Sequence, residues 1–137
     1  MKKNLSSVSI LTPSGAEAGR IHFIPADLGL CQRLSESRSA FVETVSRLST
    51  ANINPDGSGA DPASEVIILA AEQQFAELLN HVCGLESALE AFRKYKPFAV
   101  MKGRQFWALS VMDALNKAFD IVAANNKRIQ KRMRRRG

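Results

Sequence analysis

Apolar residues in the last third of the chain recur at helical spacing: Ala108, Met112, Leu115, Phe119, Val122, Ile129 and Met133 lie roughly three or four positions apart. Neither proline nor glycine interrupts the chain between Gly103 and Gly137, so the pattern predicts one long helix over about 103–133. The apolar stripe thins after Val122, where Asn125 and Asn126 are followed by Lys127, Arg128, Lys131, Arg132, Arg134, Arg135 and Arg136. The helix therefore has an apolar front half, suited to burial, and a basic back half suited to water. Cations near a helix C-terminus oppose the macrodipole, but seven like charges in one segment also repel one another, so the 127–137 tail is expected to fray and to order on a partner.

Earlier in the chain the period changes. Val8 and Ile10, then Ile21 and Phe23, alternate as half-buried strands do, around the turn-forming Thr12-Pro13-Ser14-Gly15. A β-hairpin over about 7–24 is expected; two strands alone are marginal, so it must lie on the helices or on another chain. Leu30, Leu34, Phe41, Val45 and Leu48 then predict a helix over about 28–49, with Asp27 offered as its N-cap. Residues 51–61 carry Pro55, Gly57 and Gly59 among polar neighbours and read as a mobile connector. Asp61 and Pro62 start the next helix, over about 62–82, which buries Ile68, Ala71, Phe75, Leu78, Leu79 and Val82 and stops at Gly84. A shorter helix over about 86–95 turns Leu85, Leu89 and Phe92 inward, and Pro97 forbids its continuation. Phe98, Val100 and Met101 are too apolar to hang in water and should pack on the bundle. The expected fold is mostly α, of the α+β kind: one domain over 1–137, a helical bundle with an N-terminal β-hairpin and a long basic C-terminal helix.

Composition sharpens this picture at two points. With 45% hydrophobic and 23% charged residues, the chain of 137 residues has the material for a globular core. The seven basic residues of the tail exceed the net charge of +6, so the rest of the chain is slightly acidic and a nucleic-acid reading rests on the tail alone. Asn4-Leu5-Ser6-Ser7 follows Lys2 and Lys3, and no apolar run is long enough for a signal peptide or a membrane span, so secretion and membrane spanning are not expected. Cys31 and Cys83 stand among apolar neighbours and read as buried free thiols of a reducing compartment.

Candidate chemistry is sparse. His22, Cys31, His81 and Cys83 lack the paired spacing of a closed zinc site. Neither a G-x-S-x-G elbow nor a Gly-Lys-Ser/Thr phosphate loop is present, so no catalytic, cofactor or metal residue is assigned and the chain is read as a non-enzyme. Lys94, Tyr95, Lys96, Lys102 and Arg104 combine charge and an aromatic ring as a single-stranded nucleic-acid surface does. The same composition suits a helix–loop–helix junction in which Phe98, Phe106 and Trp107 are core and the charges reach water, and that reading is adopted.

Three pieces in order resemble a known family: Phe23-Ile24-Pro25-Ala26-Asp27-Leu28-Gly29-Leu30 with Arg33-Leu34, the helix over 75–82 with Cys83-Gly84, and Lys96-Pro97-Phe98 with Gly103-Arg104-Gln105-Phe106 leading into a helix that ends basic. Together they span most of the chain, and it resembles the small tail assembly chaperones of long-tailed bacteriophages or prophages of the Gram-positive host type. The resemblance implies a factor of the host cytoplasm, absent from the mature virion, that binds the tape measure protein and keeps it soluble during tail morphogenesis. It further implies a longer frameshifted form of the same protein and the tail tube protein as partners, and admits a homo-oligomer. Phe98, Val100, Met101, Phe106 and Met112 are the candidates for an apolar groove holding an amphipathic client helix, assisted by Lys127, Arg128, Lys131, Arg132, Arg134, Arg135 and Arg136. The alternatives are a small nucleic-acid-binding protein that grips phosphates with its tail, and a structural virion component.

Overall fold

A computed structural model of the protein describes residues 5–84, 87–103 and 105–136, with side chains as far as Arg132. The fold is mostly α with a two-stranded N-terminal hairpin and a long C-terminal helix. Strands β1 (Ser6–Leu11) and β2 (Glu17–Phe23) pair antiparallel, Val8 opposite Ile21 and Ser6 opposite Phe23. The register shifts between Ile10 and Leu11, so Ala18 is an additional residue on β2. That bulge lets Ala18 face the core together with Ile21 and Phe23, although strict alternation would send it outward.

Helix α1 (Leu30–Ser46) begins two residues later than expected and runs into a 3-10 turn, Arg47–Thr50. Asp27 is not its N-cap: Gly29 holds that place, and the Asp27 carboxylate accepts from Gly29 N at 3.1 Å and from the Arg33 guanidinium. Leu30, Leu34, Ser37, Phe41, Thr44 and Leu48 form the buried face, in which Ser37 places a small side chain between Leu34 and Phe41. Helix α2 (Pro62–Cys83) starts as the sequence predicts, with Asp61 accepting from Ser64 N at 2.8 Å and Pro62 in the first turn. It stops at Gly84, whose φ of 106° is open to glycine.

Further expectations are corrected. Helix α3 (Ser87–Ala91) ends well before residue 95, because the Ala91 carbonyl accepts the buried Trp107 indole N–H at 2.8 Å. Leu89, expected inward, is 66% exposed; Ala88 and Ala91 are buried instead, while Leu85 and Glu86 lie outside the described residues. Helix α4 (Trp107–Arg136) begins after Gly103, since strands β3 (Val100–Met101) and β4 (Gln105–Phe106) pair first and Gly103 takes φ 90° in their turn. The residues read as a mobile connector are folded. Asn54 N donates to Ser58 O at 2.8 Å, Ile53 bridges Gly59, and Val100 N donates to Pro55 O at 2.8 Å. Gly57 is buried at φ 89°, and a Cβ there would lie 2.7 Å from Ala99 N, so this turn is seated on residues 96–100.

The buried apolar residues form one cluster. Its aromatic centre is Phe75, with ring centroids 5.3 Å from Phe41, 5.5 Å from Phe92 and 6.5 Å from Phe98. Helix α4 supplies Trp107, Ala108, Val111, Met112, Ala114, Leu115, Ala118 and Val122, and carries β1 against its flank. Asn125 Nδ2 donates to Pro25 O at 3.0 Å, the last hydrogen bond from α4 to the body among the described residues. Beyond it, Ile129 is 38% exposed, and Lys127, Arg128, Lys131 and Arg132 are in water.

Candidate partner-binding surfaces

The residues nominated for an apolar groove do not form one. Phe98 is fully buried against Phe75 and Phe106, and Met112 lies in the core face of α4, so neither reaches a partner. Phe106 is half-buried and meets Phe98 edge-on at 5.4 Å. Val100 and Met101 remain half-exposed, and they line a hollow of about 540 Å³ with Pro55, Asp56, Lys94, Tyr95, Lys96, Ala99 and Lys102.

This hollow gathers residues from three stretches. Its floor is set by β3, held through Val100 N on Pro55 O and through the pairing of Met101 with Gln105. One wall is the 54–58 turn, where the Asp56 carboxylate accepts from Ser58 N at 2.9 Å and from Ser58 Oγ. Those two donors, the hydroxyl foremost, hold Asp56 below its ordinary carboxylate range and keep it ionised. The other wall is the segment after α3, in which the Tyr95 ring lies 5.0 Å from that of Trp107. Lys94, Lys96 and Lys102 stand exposed at the rim, and among the described residues none of them is in an ion pair. Of the basic and aromatic cluster around Tyr95, the Tyr95 ring belongs to the core margin, while the lysines and β3 share one surface. Arg104 lies outside the described residues.

No family model, curated protein or solved structure matches this chain.

The basic tail is a second surface, separate from the first. Helix α4 starts beside the hollow and carries Lys127, Arg128, Lys131 and Arg132 more than five turns away, about 30 Å at 1.5 Å per residue. The two are too far apart to line one pocket. The side chains of Arg134, Arg135 and Arg136 lie outside the described ones, although their backbone continues α4.

The histidines and cysteines are dispersed. His22 and Cys83 line one shallow hollow with Arg20 and Ser87, His81 borders the groove between α1 and α2, and the Cys31 thiol faces Phe119 O at 3.7 Å. Among the described residues no three His, Cys, Asp or Glu side chains form a metal-holding group. Burial pushes the Cys83 thiol up to about 11 and raises that of Cys31 as well, so neither is an activated nucleophile. Among the described residues no helix is long and apolar enough to cross a membrane.

Proposed function

We propose that this protein is a non-enzymatic tail assembly chaperone of a long-tailed bacteriophage or prophage, which binds the tape measure protein and keeps it soluble in the host cytoplasm during tail morphogenesis. The observation that carries this reading beyond the resemblance is the placement of two exposed surfaces of different chemistry, the lysine-rimmed hollow and the basic end of α4, about 30 Å apart along one helix. Such spacing suits an elongated helical client rather than a small molecule. Apolar contacts at one end resist salt, and charged contacts at the other add steering and register.

Co-expression with a tape measure protein, sought as the product of a very long helical reading frame just downstream, tests the reading. The expected result is capture and increased solubility of that protein, surviving about 500 mM salt, where the screening length is about 4 Å. Failure of capture at both low and high salt would overturn it.

A nucleic-acid reading is favoured by one observation: Lys127, Arg128, Lys131 and Arg132 are exposed together, and among the described residues none of them is ion-paired. It predicts duplex binding that weakens by about 10³-fold or more between 50 and 200 mM salt for six or more phosphate contacts, and that is lost when the chain stops at Asn126.

A further inference from the structure

We propose that the hollow between the 54–58 turn and β3 docks an acidic amphipathic segment of a partner protein, whose apolar side chains seat over Val100 and Met101 while its carboxylates pair with Lys94, Lys96 and Lys102. The inference deepens the chaperone reading, because it names the chemistry of the client segment that reading requires.

Three features of the hollow select this occupant. The floor is aliphatic and thioether, and Met101 on its two-residue strand adapts to different apolar side chains without the pocket being rebuilt. The lining is mostly of one sign: Lys94, Lys96 and Lys102 stand there with one carboxylate, that of Asp56, which Ser58 already satisfies, while Glu17 and Glu72 lie outside the lining within electrostatic reach of Lys94 and Lys96. A partner carboxylate arriving there meets cations that spend little on breaking existing pairs, and complementary charge raises both the association rate and the discrimination against basic segments. The walls are also firm. Val100 N is committed to Pro55 O, and Gly57 is wedged against Ala99 N, Lys96 and Phe98, so the hollow is largely pre-formed.

The same features disfavour single-stranded nucleic acid. Base stacking needs an aromatic face open to solvent, whereas Phe98 is fully buried and the half-buried Tyr95 ring is tilted against Trp107.

The test is fluorescence anisotropy with a labelled helical peptide carrying leucines at i, i+3, i+4 and i+7 flanked by glutamates, its twin with lysines in place of the glutamates, and an oligothymidylate. The proteins are the full chain, the combined Lys94→Glu, Lys96→Glu and Lys102→Glu variant, and Met101→Gln. The three lysines are exposed, so the combined variant is expected to keep its melting curve, and Met101→Gln tests the floor without a change of charge. The glutamate peptide is expected to bind the full chain at least tenfold more tightly than its lysine twin, with that preference inverted in the combined variant and binding weakened severalfold in Met101→Gln. Equal binding of both peptides, no binding of the glutamate peptide, or unchanged binding by the combined variant would overturn the proposal. Displacement of the peptide by oligothymidylate would assign the hollow to nucleic acid, and a self-association lost only in the combined variant would assign it to a second copy; either overturns the proposal. Capture of the tape measure protein, run in parallel, separates the two claims. Equal capture by the full chain and the combined variant sinks the hollow and leaves the chaperone reading standing. Inverted peptide preference with no tape measure capture sinks the chaperone reading and supports the hollow.

Discussion

The guanidinium of Arg33 in α1 donates to the main-chain carbonyl of Val82 at the end of α2, with Nη2 2.9 Å and Nε 3.3 Å from that oxygen. The same guanidinium is paired with Asp27, so one side chain joins the strand-to-helix passage to a carbonyl that helix geometry leaves without an intrahelical partner. A cation at this position also opposes the α2 macrodipole. Arg33→Met is expected to destabilise the fold by about 1–2 kcal/mol, since it strands both the Val82 carbonyl and the Asp27 carboxylate, and urea unfolding measures it.

The Asp27 carboxyl lies below its ordinary value of 3.8, chiefly through the Arg33 hydrogen bond. A carboxyl depressed in the folded state contributes stability that is fully present above 3.8 and is lost as pH falls below it through the folded value. Stability of the native chain should therefore drop more steeply below pH 3.8 than that of Asp27→Asn, whose loss is already present at neutral pH. Parallel urea curves at pH 6 and pH 3 for the two proteins check the sign (pH values chosen to lie about two units above and one unit below the ordinary carboxyl range); equal acid sensitivity would contradict it.

Glycines at the same backbone angle should differ in their tolerance of a methyl group. Gly15 and Gly57 both have φ 89°, but a Cβ at Gly15 meets nothing within 4 Å, whereas one at Gly57 lies 2.7 Å from Ala99 N. Gly15→Ala is expected to cost about 1–2 kcal/mol from conformation alone, and Gly57→Ala more, because residues 96–99 must also move. Thermal melts resolve this, since about 1 kcal/mol shifts Tm by roughly 3–5 °C in a domain of this size.

Trp107 is the only tryptophan in the chain, is fully buried, and donates its indole N–H to Ala91 O. Trp107→Phe should cost about 2–4 kcal/mol, from the lost area and from a buried carbonyl left without a donor. In the native chain its emission should resist acrylamide quenching until the cooperative unfolding transition. Ready quenching under native conditions would contradict the burial.

Thiol chemistry gives an independent check on burial. With Cys83 pushed up to about 11 and Cys31 raised, both by burial, a disulfide reagent at pH 8 should label the folded chain far more slowly than the urea-unfolded one (pH chosen near the ordinary thiol range). Fast labelling of Cys83 in the folded state would mean that the α2 end opens.

Much of the architecture was determined by order within short windows of sequence. Alternation at Val8, Ile10, Ile21 and Phe23 specified the hairpin, the stripe from Ala108 to Val122 specified the buried half of α4, and Asp61 with Pro62 specified the start of α2. These are signals of local geometry: a period of two or 3.6, or a side chain that reaches an amide three residues on. The basic end of α4 was equally plain, because charge density needs no fold to be read.

Tertiary structure alone decided the rest. The early end of α3 follows from the Trp107 indole taking the Ala91 carbonyl sixteen residues away, and the docked 54–58 turn from Val100 N reaching Pro55 O. Phe98 was lost to the core because Phe75 and Phe106 close over it, while Val100 and Met101 next to it stayed at the surface beside lysines that sequence places on either side. A run of apolar residues in a loop carries no period that says which side chain faces inward. Only contacts between residues far apart in the chain settle it, because burial is a property of the space between elements and not of any one of them.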